Sequence, residues 1–152
     1  MTPWVVSVGM IPEEDLELFR KIRLKIESLP DLDLGINEKG ENIILSCHIL
    51  ARAVSNVFRI RCLDGYFCNC RHSWLATANN NIIDVYPVHA VGGPIMHSND
   101  YSSPVRGLYR CDFTLCQLLK SDSFDRAVNV VTRKMLEPDK THRYPLGICL
   151  GS

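Results

Sequence analysis

Hydrophobic and polar positions along the first part of the chain predict two helices. The first begins at Pro12, which suits an initial helical turn, and ends before Pro30; acidic residues and then apolar residues at helical spacing lie between them. Apolar residues also recur every three or four positions across residues 43–58 and predict the second helix. Ser46 or Asn42 is the expected cap at its start. The polar stretch between the two helices is expected to be a loop.

Alternating positions and turn residues predict a set of strands. Residues 4–8 alternate weakly and predict a short first strand. Three further candidates, residues 59–67, 71–78 and 81–87, follow the second helix. The last two are separated by the asparagines at 79–81, a residue type that tolerates the left-handed backbone of a tight turn. The expected fold class is therefore α+β, with an antiparallel sheet.

The C-terminal half predicts a long loop and a final helix. Residues 88–106 carry Gly, Pro and Ser without a periodic pattern, and loops of this length are often functional. Residues 108–120 begin as a strand or turn and become helical, and Asp122 or Ser123 is the expected cap of the final helix. The chain after Pro138 is expected to be irregular. The apolar face of the final helix comprises Phe124, Ala127, Val128, Val131 and Met135.

Composition narrows the class of protein. The chain has 152 residues, 46% of them apolar, with 17 basic and 17 acidic residues. This length predicts one domain spanning residues 1–152, and the charge balance excludes a disordered polyelectrolyte and predicts no nucleic-acid or membrane partner. No apolar run is long enough for a bilayer span, and no secretion signal is evident. The chain has seven cysteines, an odd number, so at least one thiol has no disulfide partner. Because no secretion signal is evident, we expect a cytoplasmic protein with reduced thiols.

A cysteine, a histidine and an aspartate fall where this topology can bring them together. Cys47 lies near the start of the second helix, where free backbone N–H groups and the helix dipole lower the pKa of a thiol. His72 and Asp84 lie on the two strands of a hairpin. If its turn centres on Ala78 they face each other directly, and if it centres on Asn79 they are diagonal neighbours within side-chain reach. The carboxylate can therefore orient the imidazole in either register.

These groups are the parts of a nucleophilic site. Cys47 would attack an acyl carbon, His72 would hold and later deliver its proton, and Asp84 would fix the tautomer of the imidazole. The backbone N–H of Cys47 would be one oxyanion donor, and Asn42 is a candidate for the second. Trp74 is expected in the core or the wall of the site rather than as a catalytic group, because its indole offers a single donor. We assign it to substrate binding.

The stretch from Cys47 to Pro87 resembles the core of the transglutaminase-like superfamily, a group of papain-like cysteine enzymes. CHILA resembles the nucleophile helix, in which a small residue follows the cysteine by four positions. RIRCLDGYF resembles the first core strand, which commonly ends in Gly-Tyr. HSW and IIDVYP resemble the His-x-Trp strand and the strand that bears the aspartate. The resemblance covers roughly a quarter of the chain.

The resemblance implies a fold, a triad and a chemistry. The fold would be a compact α+β domain with the nucleophile helix packed on an antiparallel sheet and flanked by further helices. Cys47, His72 and Asp84 would act as the triad in peptide or amide hydrolysis, deamidation or acyl transfer, on a peptide, a protein or a small amide. The chain departs from the family at His48, where a bulky aromatic residue is common, and we interpret His48 as structural.

Other interpretations stay open beside the enzyme. The chain could be a catalytically silent binding module of the same fold, with Cys47 in its core. No glycine-rich cofactor motif occurs, so no cofactor is expected. The loop at 88–106 could cover the site as a lid or wall. A zinc site is the remaining alternative, although ligands spread along one strand do not converge without a bend. Its four potential ligands are Cys62, Cys68, Cys70 and His72.

Overall fold

The described chain forms four helices and a six-stranded sheet. A computed structural model describes residues 5–6, 11–87, 92–100 and 103–138. The predictions for the chain after Pro138, for most of the first strand and for part of the loop at 88–106 lie outside these residues. The helices are α1 (Glu13–Glu27), α2 (Cys47–Phe58), α3 (Leu115–Leu119) and α4 (Asp122–Leu136). The strands are β1 (Val5–Val6), β2 (Arg61–Phe67), β3 (Cys70–Ala76), β4 (Ile82–Asp84), β5 (Ile95–His97) and β6 (Tyr109–Cys111).

The sheet has the order β1-β5-β4-β3-β2-β6. The four pairs of neighbouring strands from β5 across to β6 are antiparallel. The remaining pair, β1 and β5, is parallel. The structure therefore confirms the α+β class and the antiparallel sheet. Both tight turns of the central hairpins use a residue with left-handed backbone, Cys68 with φ 56° and Asn80 with φ 63°. The second of these confirms the turn predicted from the asparagine run.

The hydrophobic core lies between the helices and one side of the sheet. Apolar side chains of α2, among them Leu50 and Val54, pack with Leu75 of β3 and Ile83 of β4. The apolar face predicted for the final helix also enters this core, with Met135 fully buried. Burial of this kind is worth about 25 cal/mol for each Å² of apolar surface, so it is the main force that holds α2 against the sheet.

Side-chain caps set the helix boundaries: they confirm Ser46 as the cap of α2, but they shorten that helix and correct the predicted cap of α4. The helix within 43–58 begins only at residue 47, because Ser46 has extended backbone (φ −111°) and its side chain accepts from Ile49 N at 3.3 Å. The cap of α4 is Ser121, whose side chain accepts from Phe124 N, and neither Asp122 nor Ser123 fills that place. In both cases the capping hydroxyl satisfies a backbone N–H that the first turn leaves without a partner.

The loop predicted at residues 88–106 contains a strand. Three of its residues form β5, which pairs with β4 so that Asp84 lies opposite Ile95 and Ile82 lies opposite His97. Strand pairing supplies partners for backbone groups that would otherwise be buried without hydrogen bonds, and a three-residue strand is too short to show alternation in sequence. The prediction of an irregular segment was therefore wrong at β5. Its proposed role as a lid stays a prediction, since residues 88–91 and 101–102 lie outside the described residues.

A buried carboxylate joins α1 to the turn between β3 and β4. Asp15, only 4% exposed, accepts hydrogen bonds from Thr77 Oγ1 at 2.8 Å and from Asn81 Nδ2 at 2.6 Å. Buried carboxylates are costly unless their oxygens are hydrogen-bonded, so this contact fixes α1 against the turn. This turn also sets the position of β4, which carries Asp84.

Candidate active site

Cys47 occupies the first position of α2. Ser46 caps the helix, so Cys47 lies in the first turn, where backbone N–H groups have no acceptor within the helix. The positive end of the helix dipole favours an anion at this place. Cys47 is partly exposed and forms no disulfide. The sequence prediction of a cysteine near a capped helix start is confirmed.

His72 and Asp84 meet on neighbouring strands. The pairing of Leu75 with Ile83 places the hairpin in the second of the two predicted registers, in which these two residues are diagonal neighbours. His72 Nε2 lies 2.8 Å from Asp84 Oδ2, and both side chains are fully buried. Low local dielectric strengthens such a hydrogen bond.

The carboxylate of Asp84 receives two further hydrogen bonds. The hydroxyl of Tyr109 donates to Oδ2 at 2.7 Å, and the backbone N–H of Tyr86 donates to Oδ1 at 3.2 Å. Burial of Tyr109, together with the charge of Asp84, raises the pKa of the phenol, so the hydroxyl keeps the proton that it donates. Sequence reasoning missed Tyr109, because no local signal indicates that β6 pairs with β2.

Aromatic rings enclose the imidazole. Trp74 stacks on His72 with ring centroids 6.1 Å apart and an interplanar angle of 23°, and Tyr109 lies edge-on to Trp74. Phe67 completes the cluster through an edge contact with Tyr109. Because Trp74 is only 1% exposed, it forms the wall behind His72. Its assignment to substrate binding stays a prediction.

The electrostatics of the site favour a thiolate and an imidazolium. Burial alone would raise the pKa of Cys47, but interactions with the rings of His48 and His72 outweigh it and lower this pKa to about 6. Burial would lower the pKa of His72, whereas the hydrogen bond with Asp84 and the interaction with Cys47 raise it to about 9. Among the described residues, Nδ1 of His72 has no hydrogen-bond partner, so it is the ring atom left to exchange a proton with the thiol.

His48, which the sequence led us to interpret as structural, interacts with groups of the site. Its Nδ1 lies 2.7 Å from Ser73 Oγ, and its ring contributes to the low pKa of Cys47. Adjacent helical residues usually point in different directions, which is why the sequence did not indicate that His48 interacts with Cys47. The backbone N–H of Ser73 also interacts with the thiol and lowers its pKa.

A cleft of about 480 Å³ lies beside the start of α2. Both chain neighbours of Cys47, Ser46 and His48, contribute to its lining, and so does the exposed Asn42. Asn42 is held by an isolated bridge to Ile36. Its assignment as the second oxyanion donor stays a prediction. The apolar part of the cleft comes from Ile43, Ile44, Ile49, Leu118, Leu119 and Phe124.

The structure separates the four residues of the zinc alternative. Cys62 packs against the hydrophobic core, and burial raises its pKa to about 12. Cys68 and Cys70 are exposed at the hairpin turn, while the Nε2 of His72 is hydrogen-bonded to Asp84. Within the described ranges, no three His, Cys, Asp or Glu side chains are grouped so that they could hold a metal ion. The zinc interpretation is therefore wrong for these ligands.

The fold and site define an α+β protein with a Cys–His–Asp constellation. In the part of the chain that the structure describes, no helix has both the length and the apolar surface needed to cross a bilayer. Comparison with protein families, curated proteins and solved structures finds no significant match to the chain.

Proposed function

We propose that the protein is a cysteine-dependent enzyme that hydrolyses or transfers acyl groups through a thioester. One observation carries the proposal: the buried 2.8 Å hydrogen bond between His72 Nε2 and Asp84, which leaves the opposite ring nitrogen for the Cys47 thiol. A nucleophile, a base and a group that orients the base are the parts that acyl transfer requires. The low pKa of Cys47 supports the same assignment.

The catalytic steps follow from the positions of these groups. The Cys47 thiolate attacks the carbonyl carbon of an amide or ester, and the carbonyl oxygen becomes an oxyanion next to the Cys47 backbone N–H. Collapse of this intermediate breaks the bond to the leaving group, which receives the proton from His72 and departs as an amine or alcohol. His72 then takes a proton from water or an acceptor amine, which attacks the thioester carbon. The new acid or amide leaves, and the thiolate is regenerated.

Asp84 keeps His72 ready for both proton transfers. Because its carboxylate accepts from His72 Nε2, the imidazole can gain or lose its proton only at Nδ1, on the side of the thiol. The hydroxyl of Tyr109 and the N–H of Tyr86 hold this carboxylate in place. The order Cys47, His72, Asp84 and the packing of α2 on an antiparallel sheet support a transglutaminase-like enzyme.

A covalent acyl probe tests the proposal. Exposure of the folded protein to p-nitrophenyl acetate at neutral pH should add one acetyl group, seen by intact mass, and the adduct should disappear with time as the thioester hydrolyses. The adduct should be lost in Cys47→Ala and retained in Cys68→Ala, since Cys68 is exposed but lies at the hairpin turn. A Cys47 thiol that reacts only when the protein unfolds would overturn the enzyme and favour the binding module.

The pH dependence of two rates should separate the thiol from the imidazole. Alkylation of Cys47 by iodoacetamide needs only the thiolate, so its rate should rise through pH 6 and then stay level. Amide or ester turnover also needs the protonated imidazole, so it should fall again above pH 9. The rising and falling limbs of the turnover profile report the coupled titration of Cys47 and His72 rather than of either group alone. Turnover that rises steadily beyond pH 9 would contradict the assignment of His72.

A further inference from the structure

Two exposed aliphatic side chains line the cleft beside the start of α2. The cleft volume of about 480 Å³ falls within the range of about 300–1,000 Å³ that is usual for small-molecule sites. Ile44, from the segment before α2, is 82% exposed, and Leu118 of α3 is 67% exposed. Exposed apolar residues that stand singly need no explanation, but here two of them share one cleft. The buried Ile49 and the half-buried Phe124 extend its apolar lining.

Several polar groups of the cleft lining are already hydrogen-bonded within the protein. The side-chain oxygen of Asn37 accepts from the backbone N–H groups of Lys39 and Glu41, at 2.9 and 3.0 Å. The hydroxyl groups of Ser46 and Ser121 accept from the first turns of α2 and α4, which they cap. Because these groups serve the fold, the cleft offers a ligand mainly apolar contact rather than partners for a peptide backbone.

The charged groups of the cleft disfavour an anionic ligand. Two carboxylates, Glu38 and Glu41, line it together with one ammonium group, that of Lys39. Glu38 accepts hydrogen bonds from the hydroxyl and the backbone N–H of Ser123, which lower its pKa and keep it ionised. An acidic peptide or a free fatty-acid anion would meet this negative charge, whereas an uncharged acyl chain would not.

The cleft adjoins the nucleophile along the first turn of α2. Ser46 and His48, the residues before and after Cys47, both contribute to its lining, and Ile49 follows them in the same turn. A carbonyl group at the Cys47 backbone N–H, the oxyanion donor of the proposed mechanism, would therefore have the cleft beside it for the chain that it carries.

We propose that this cleft binds the aliphatic chain of an uncharged acyl group whose carbonyl carbon is attacked by Cys47. The inference rests on the proposed function and names its substrate class, esters or amides of medium-length aliphatic acids. The covalent step is unchanged: the bond from sulfur to the acyl carbon forms, the bond to the leaving group breaks, and His72 delivers a proton to that group. Ile44 and Leu118 are then the residues that determine the preference for chain length.

Two esters, p-nitrophenyl acetate and p-nitrophenyl hexanoate, test the inference. Burial of one methylene group is worth about a factor of four, so kcat/KM should be at least about tenfold higher for the hexanoate. This ratio should fall by about fourfold to tenfold in Leu118→Ser and in Ile44→Ser, which remove exposed apolar contacts. The matched control is Leu24→Ser, which should keep the parent ratio, since Leu24 on α1 is as exposed as Leu118 but lies outside the cleft.

Alkylation gives a second readout that requires no acyl chemistry. N-hexyl iodoacetamide should modify Cys47 about tenfold faster than iodoacetamide does, because its chain can occupy the cleft. Leu118→Ser should remove most of this preference. Intact mass, with Cys47→Ala as the blank, assigns the adduct to the thiol.

The outcomes distinguish this inference from the proposed function. If the parent forms the acetyl adduct but does not favour the hexanoate, the inference is overturned while the enzyme stands. If the parent forms no acetyl adduct but favours N-hexyl iodoacetamide, the enzyme is overturned and the cleft keeps its role in binding an aliphatic chain.

Two further results would also overturn the inference. Faster turnover of the p-nitrophenyl ester of N-acetylleucine than of the hexanoate would assign the cleft to a peptide side chain. An equal loss of the ratio in Leu24→Ser would show that the effect does not come from the cleft. Should Leu118→Ser not fold, an unchanged ratio in Ile44→Ser overturns the inference by itself.

Discussion

Replacing His72 with alanine should slow hydrolysis of the acetyl-thioester by about 10⁴-fold, the upper end of the range for a positioned acid and base. The imidazole of His72 is the only ring near Cys47 in the described residues whose nitrogen is oriented by a carboxylate. Without it, no group takes the proton from the attacking water. The measurement is the rate at which the isolated acetyl adduct of Cys47 disappears, followed by intact mass.

The controls for this variant come from the same strand. Arg71→Ala changes an exposed neighbour of His72 on β3 and should leave the rate of deacylation within a factor of about two, as expected for a surface substitution. His72→Asn retains part of the buried volume but lacks the imidazole, so it should lose activity as His72→Ala does. If His72→Asn kept its activity, the loss in His72→Ala would come from the cavity alone. Deacylation at the parent rate in both His72 variants would show that another group is the base.

The local sequence pattern was enough to predict the elements that carry Cys47, His72 and Asp84. The hydroxyl of Ser46 before an apolar helical run predicts where α2 begins, and hence where Cys47 lies. The asparagine run predicts the turn that brings Asp84 back alongside His72, and either register leaves the two within reach. Both inferences depend on contacts between residues near in sequence, for which spacing and turn chemistry are informative.

The residues that sequence reasoning missed come from distant segments. Tyr109 reaches Asp84 because β6 pairs with β2, and a three-residue strand gives no signal of its partner. Ser73 lies on β3, but only the packing of α2 on that strand brings His48 to it. Such contacts are decided by how elements dock, which depends on the whole core rather than on a local pattern.

The triad and its surroundings also differ in what holds them. His72 and Asp84 are enclosed by aromatic rings and fully buried, so their geometry depends on packing. His48 is held instead by a hydrogen bond to Ser73 that remains partly exposed to water.

Trp74→Ala should lower the free energy of unfolding by about 3–5 kcal/mol, the usual cost of removing a large buried aromatic side chain. Trp74 is 1% exposed, stacks on His72 and packs edge-on against Tyr109 with ring centroids 5.2 Å apart. Its removal leaves a cavity that the neighbouring strands cannot close, because β3 is paired on both sides. Urea denaturation followed by circular dichroism measures the loss directly.

The same change should loosen the imidazole, so deacylation of the Cys47 adduct should slow in the fraction of Trp74→Ala that remains folded. Phe113→Ala is the matched control, since Phe113 is 80% exposed and its removal should alter the free energy of unfolding by no more than about 0.5 kcal/mol. Trp74→Phe keeps an aromatic ring against His72 and should lose less stability and less activity than Trp74→Ala. A loss below about 1 kcal/mol in Trp74→Ala would mean that the indole does not fill the space behind His72 and that the base is held by Asp84 alone.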